Sequence, residues 1–436
     1  MTYRSVVRFP DLRPRLRALP LVLTLLLTPC YVAAVTPAEP AEAANASLVA
    51  AKRAEVRQVH YFQFDSGAEL RTGTGNGTRV ARGRLRIAEA TAERTLKGAR
   101  YEQSTWDSPW VDPGFALTEL IPSWSATTPG NSFVEVRVRG RSASGATSSW
   151  DLMGRWANGD RFLSRSTFGT QADDLAQVNV DTWRAPGGLT SYQLRVTLAR
   201  KAGSTRSPGV DTIGAVASRL PAEAGPTSQP GPGRGIVLDV PRYSQMIHGG
   251  EFPEYNGGGE AWCSPTSTSM VLGYYDALPS ARSYSWVPEG YPDPWVAYAA
   301  RMTFDHTYDG TGNWPFNTAY AAPRVGKAFV TRLRSLREAE RFIAAGIPLI
   351  ASISFGSGEL TGAPISSTAG HVLVIVGFTE DGDVVVNDPA GRDSSAVRRT
   401  YDRAQFEQAW LPGSGGTVYV IRDAAHPLPK GNQSNW

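Results

Sequence analysis

The stretch "GGGEAWCSPTSTSMVLGYY", residues 257–275, decides how the second half of this chain is read. Pro265 is tolerated in a first helical turn, the Ser and Thr residues can cap, and the apolar run that follows suits a helix. Cys263 then sits at the helix start, where free N–H groups and the positive dipole end favour a negative charge. A thiol is nucleophilic only as thiolate, so this place has chemical meaning. A lone cysteine can also be a small buried apolar residue. The small polar residues on both sides of Cys263 suit a cleft-facing helix start better than a core.

The only other cysteine is Cys30, inside the first 34 residues. There Arg4, Arg8, Arg13, Arg15 and Arg17 precede the apolar run "LPLVLTLLL", and small residues follow. This reads as a secretory signal (1–34), with an apolar run too short to span a bilayer. Pro29 directly before Cys30 disfavours lipidation, so Cys30 is expected to leave with the signal and Cys263 to have no intramolecular partner. The signal holds five Arg and one Asp, a net +4 that equals the formal +4 of all 436 residues. The remainder is near neutral, so nothing in its charge calls for nucleic acid. No later segment offers about 18 uninterrupted apolar residues, and a secreted chain without a membrane span is expected.

Residues 35–54, with "AEPAEAANA", read as a flexible tether. From 55 to 219, short runs such as "VHYFQF", "SFVEVRVRGR" and "SYQLRVTLAR" alternate between turn-forming residues, and "FVEVRVR" has the period of two expected of a strand with one buried face. An all-β sandwich, jelly-roll-like, is predicted. Its Trp106, Trp110, Trp124, Trp150 and Trp156 suit a core, although some could meet a surface or a glycan. "PAEAGPTSQPGPGRG" closes the region as a Pro/Gly linker (220–235).

Residues 236–425 are mixed, with a tail at 426–436. "IVLDVPRYSQ" is extended; "DPWVAYAARMTF", "SLREAERFIAAG" and "DRAQFEQAW" read as helices, the second ending at Gly346. "IPLIASISF", "HVLVIVGF", "DVVVND" and "TVYVIR" read as strands, giving an α+β domain with a helix followed by an antiparallel sheet.

Five histidines could take a proton from Cys263. His60 belongs to the β region, His248 and His306 to polar loops, and His426 lies past the last strand. His371 alone stands at the entrance to an unbroken apolar strand, although a histidine there can also merely finish a strand edge. The hairpin from "HVLVIVGF" to "DVVVND" brings Asp388 back toward it, as orienter of the imidazole. A two-residue turn at 381–382 would leave Asp388 opposite Ile375, about 13 Å short of His371 at 3.4 Å per residue. The connection must therefore be longer, or a bulge must shift the register. Asn387 points to the other face and is the second choice. For an oxyanion, the backbone N–H of Cys263 and the amide of Gln245 are candidate donors.

The set "VPRYSQ", "WCSPTSTSMVLGYY", "AAGIPLIASIS", "GHVLVIVGF" and "VVVNDPAG" resembles the bacteriocin-processing-like cysteine peptidases, family 39 of that class, over about 236–422. The resemblance implies a papain-like fold, with Cys263 as nucleophile, His371 as general base and acid, Asp388 as orienter and Gln245 as oxyanion donor. Ser264 stands where the family pattern has Gly, and "IHGGEFPEYNGGGE" is an insertion expected to line the cleft. A peptide or protein substrate follows, with no cofactor and no metal. The same site could serve a cell-wall peptide amidase or acyltransferase, and a non-catalytic exported binder could retain the fold.

Overall fold

The structure, a computed structural model, describes residues 56–431 and 434–436; the expected signal and tether lie outside the described residues. The first half consists of two antiparallel sheets. One runs in the order Gln177–Asn179, Thr182–Leu189, Leu117–Thr127, Gly209–Arg219, Arg84–Ile87, Thr78–Ala81, with Gln58–Phe64 also paired to Gly209–Arg219. The other runs Thr74–Asn76, Ala99–Asp107, Ser191–Lys201, Ser132–Arg141, Asp151–Trp156, with Ala92–Leu96 on Ala99–Asp107.

The alternation in Ser132–Arg141 does what period two dictates. Val134, Val136 and Val138 enter the core, and Glu135, Arg137 and Arg139 point the other way. That other face is not simply wet. Glu135 is buried beneath Arg94 at 2.6 Å, Arg155 at 2.9 Å and Arg137 at 3.4 Å. Burial works to raise its pKa, and the three guanidiniums, Arg94 foremost, hold it below the usual carboxylate range. Trp106, Trp124 and Trp156 are core residues. Trp110 and Trp150 are only half-buried, and they stack in alternation with Arg141, Arg139 and Arg195 at 4.1–5.2 Å.

The second half is α+β around one antiparallel sheet, in the order Lys327–Arg332, Thr417–Arg422, Leu349–Phe355, Thr368–Phe378, Val384–Asn387, Arg398–Tyr401. Every residue from His371 to Phe378 is buried, so both faces of that strand are covered. This is why "HVLVIVGF" is continuously apolar instead of alternating. The expected helices form as Cys263–Tyr274, Pro294–Thr303, Leu336–Ala344 and Arg403–Ser414. Gly346 at φ 74° ends the third.

Sequence reading passed over the helix Trp314–Val325 and the strands Lys327–Arg332 and Arg398–Tyr401. The helix had a local signature: the Asn313 side chain accepts from Phe316 N at 3.1 Å and Pro315 lies in the first turn. Among the described residues no helix is long and apolar enough to cross a membrane.

The two halves share buried contacts. Phe316 is fully buried and inserts between Trp124 and Trp156, one from each sheet, with ring centroids 6.1 and 5.5 Å away. Gly154 makes room for it, since a Cβ there would stand 3.0 Å from the Phe316 ring. Val330 N donates to Ser123 Oγ at 2.8 Å, and Arg332 Nη1 reaches Glu119 Oε2 and Ser218 Oγ, both at 2.6 Å. The end of the chain folds back as well, Tyr61 N donating to Ser434 O at 2.6 Å.

Truncating a buried aromatic leaves both a transfer loss and a cavity. Phe316→Ala is expected to cost about 3–5 kcal/mol in urea unfolding, with both halves still melting in one transition. A loss under about 1 kcal/mol, or two separated transitions in the unmodified protein, would contradict this coupling.

Candidate active site

The helix Cys263–Tyr274 places Cys263 as its first residue, with Trp262 as the preceding cap residue. Cys263 is partly exposed and unpaired. Its small polar neighbours do not face a cleft as the sequence suggested. Ser264, Thr266, Ser267, Thr268 and Ser269 are all buried. The reason lies in their bonds: Ser264 Oγ meets Tyr419 Oη at 2.9 Å, Ser267 Oγ donates to Val372 O at 3.2 Å, and Thr268 Oγ1 to Asn317 Oδ1 at 3.3 Å. Small side chains let the helix approach the sheet closely. Ser267 lies one turn beyond Cys263 and on the same side, so its bond to Val372 draws Cys263 alongside His371.

His371 is the first buried residue of the strand Thr368–Phe378, whose preceding positions are exposed or half-exposed. The hairpin resolves the register difficulty in both of the ways the sequence allowed. The strands are joined by residues 379–383, longer than a two-residue turn, and a bulge lies between Ile375 and Gly377. Phe378 then faces Val384 and Val374 faces Asn387, so Asp388 is carried two positions closer to His371 than a tight turn would bring it. Asp388 Oδ1 and His371 Nε2 are 2.8 Å apart. Asn387 turns away, donating to Val240 O and Pro241 O at 3.1 and 3.0 Å and accepting from Arg398 at 2.6 Å.

Tyr401, which sequence reading missed, donates to Asp388 Oδ2 at 2.7 Å, and Ala390 N donates to Oδ1 at 3.0 Å. The buried carboxylate is thus held from three sides. Burial raises its pKa, but His371 first, then Tyr401 and Ala390, bring it below the ordinary value. On His371, burial works to lower the pKa. Asp388, and behind it the Cys263 thiol by hydrogen bond and charge, reverse this and raise it to about 10. With Nε2 committed to Asp388, Nδ1 is the nitrogen left for the thiol.

Gln245 is buried in the turn before the cysteine: its Nε2 donates to Glu260 O at 2.5 Å and its N to Pro389 O at 2.9 Å. One amide hydrogen remains for another acceptor. The insertion folds back on itself, and His248 is not in a polar loop. It is fully buried and stacked on Tyr291 at 5.1 Å, within a cluster that includes Phe252, Tyr255, Trp262 and Trp286. Burial lowers its pKa to about 4. Among the described residues no three His, Cys, Asp or Glu side chains are grouped to hold a metal ion.

Residues 237–418 match the family described as "Peptidase_C39 like family", and residues 60–218 match "Peptidase C39 N-terminal domain". The C-terminal half belongs to the C39-like peptidase family. No curated protein matches the chain. A solved structure titled "Structural basis for the promiscuous specificity of the carbohydrate-binding modules from the beta-sandwich super family" is 13% identical over 37% of this chain, with a TM-score of 0.15. The alignment spans 58% of that chain, and so slight a likeness bears on neither fold nor function. The C39-like half contains all of Gln245, Cys263, His371 and Asp388.

The raised imidazole has a definite sign. Its contribution to stability is complete below the unfolded value of about 6.5 and is lost as pH rises through about 10. The Asp388 contribution is present above about 3.9 and is lost as pH falls through its lowered folded value. NMR of the His371 ring is therefore expected to show imidazolium well above neutrality, and Asp388→Asn to move its titration down toward or below about 6.5. Titration near 6.5 in the unmodified protein would contradict the pairing.

Proposed function

We propose that the protein is an exported cysteine peptidase acting through Cys263, His371 and Asp388. The observation that carries this reading is the 2.8 Å His371–Asp388 pair, with the Cys263 thiol near enough to help raise the pKa of the same imidazole. The family match supports a peptidase, and the Arg-rich, apolar start of the chain supports export. A papain-like arrangement is supported by a helix beginning at the cysteine and packed on an antiparallel sheet that carries the histidine and aspartate.

The chemistry follows from the charges. A ring that stays protonated to high pH favours the thiol's proton residing on His371 before substrate arrives, with Asp388 ionised and holding Nε2–H. Cys263 Sγ attacks the peptide carbonyl carbon, and the oxyanion draws on the Cys263 N–H and the free amide hydrogen of Gln245. His371 gives its proton to the departing amine as the C–N bond breaks, leaving a thioester. Water then loses a proton to His371 and adds to the thioester; the C–S bond breaks and the acid departs.

The test is incubation of the unmodified protein and Cys263→Ala with a diverse peptide mixture under reducing conditions. New termini are expected only with the former, together with fast iodoacetamide alkylation of Cys263 that slows about tenfold or more in His371→Ala. Identical peptide maps would overturn the peptidase reading.

A further inference from the structure

Among the described residues most large apolar side chains are buried, yet Tyr308 at 49% and Met246 at 38% remain exposed. Met246 directly follows Gln245. Tyr308 lies three residues before Thr311, which is bonded to the turn that carries Cys263. Burial raises the Tyr308 phenol's pKa, and the charges of Asp181, Cys263 and Asp305 add to this. An exposed aromatic on a loop tied to the cysteine turn is a surface waiting for something apolar, and tyrosine suits a place with one dry side and one wet side.

The loop that carries Tyr308 is held firmly. Asp305, fully buried, accepts from Thr307 N at 3.1 Å and Tyr308 N at 3.2 Å. It also accepts from Asn313 Nδ2 at 3.0 Å. Asp305 N closes the loop on Gly310 O at 2.9 Å. On one side, Thr311 Oγ1 donates to Ala261 O at 3.1 Å, two residues before Cys263. On the other, the anchors come from the N-terminal sandwich. Thr167 donates to Asp305 through both N and Oγ1, at 3.1 and 2.9 Å, and Asp181 Oδ2 accepts from Trp314 N at 3.0 Å. The tip is open while its base is tied to the cysteine turn and to the sandwich. A ring held this way loses little freedom when it meets a ligand.

We propose that Tyr308 contacts substrate, gripping a large apolar or aromatic side chain beside the scissile bond, and that the N-terminal sandwich holds it there through Thr167. This rests on the peptidase reading above. Thr167 is a positioning residue that acts through Asp305, and the sandwich is thereby part of the cleft as well as a neighbour of it. A contact of this kind discriminates by about ten- to a hundredfold in kcat/KM.

The experiment uses the full chain and peptide pairs that differ only in Phe or Ala beside the scissile bond, with iodoacetamide alkylation of Cys263 followed in parallel. The unmodified protein is expected to prefer Phe by about tenfold or more. Tyr308→Ala and, as a second variant, Tyr308→Ser bring the ratio toward one, chiefly through KM. Thr167→Val raises KM for the Phe peptide with kcat nearly kept, and Thr167→Ser restores it. If the unmodified protein cleaves without preference, or Tyr308→Ala keeps the preference, this inference alone is overturned. If the unmodified protein neither cleaves nor shows alkylation dependent on His371, the peptidase reading falls and takes this one with it.

Discussion

The close seat of the Cys263 helix on the strand that carries His371 is the constraint on which the site depends. Ser267 Oγ, bonded to Val372 O, sits at the centre of that seat. Two backbones approach this closely only where side chains are small, and six consecutive buried positions of the helix, Ser264 to Ser269, are Ser, Thr or Pro. Larger apolar residues would give a better transfer free energy but would push the helix away from the sheet. Four of the five hydroxyls find partners instead, Ser264 on Tyr419, Ser267 on Val372 O, Thr268 on Asn317 and Ser269 on Pro265 O, which offsets most of the cost of burying them. Thr266 Oγ1 is buried without one. The partly exposed sulfur at the end of this seat then owes its place to packing along the whole first half of the helix.

A second constraint is the buried charge opposite. Asp388 lies just beyond the end of its strand and would be costly there without partners. His371, Tyr401 and the Ala390 N–H remove that cost, and each comes from a different part of the chain. The bulge between Ile375 and Gly377 is what lets the carboxylate arrive at the right height. It shifts the ladder by one position, the longer 379–383 connection shifts it by another, and the imidazole would lose its orienter without them.

These facts show which parts were legible in the sequence. Continuous apolar runs announced the strands of the second half because both of their faces are covered, and "FVEVRVR" announced a strand because only one face meets a core. Cys263, His371, Asp388 and Gln245 could be named because helix starts, strand entrances and hairpins are local signals. Tyr401 could not, since its bond to Asp388 joins residues across Val384–Asn387 and Arg398–Tyr401, and the second of these strands, "RRTY", has no apolar pattern. His248 misled because glycines and acids follow it, in "HGGEFPEYNGGGE". The aromatic residues that bury it come partly from 284–295, and no local window contains both. The burial of Ser264–Ser269 was hidden for the same reason: composition does not say whether a polar side chain meets water or a carbonyl.

The join between the halves carries the argument one step further. "PAEAGPTSQPGPGRG" has the composition of a tether, yet its later part lies against the C-terminal half. Ser228 bonds Glu407 Oε1 at 2.6 Å, and Arg403 Nε donates to Ser228 O at 2.6 Å while its Nη1 pairs with Glu340 at 2.7 Å. At Gly233 a Cβ would stand 2.9 Å from the Glu340 backbone, so glycine there serves close approach instead of freedom. Pro and Gly mark a linker in either case; whether it swings or lies flat depends on what waits for it, here a buried Arg403–Glu340 pair whose remaining donors need carbonyls. A segment fixed at this end, Phe316 set between two tryptophans, and Thr167 bonded to Asp305 leave the sandwich little room to move relative to the sheet. The loop that carries Tyr308 is therefore held from both sides, and its geometry is a property of both halves together.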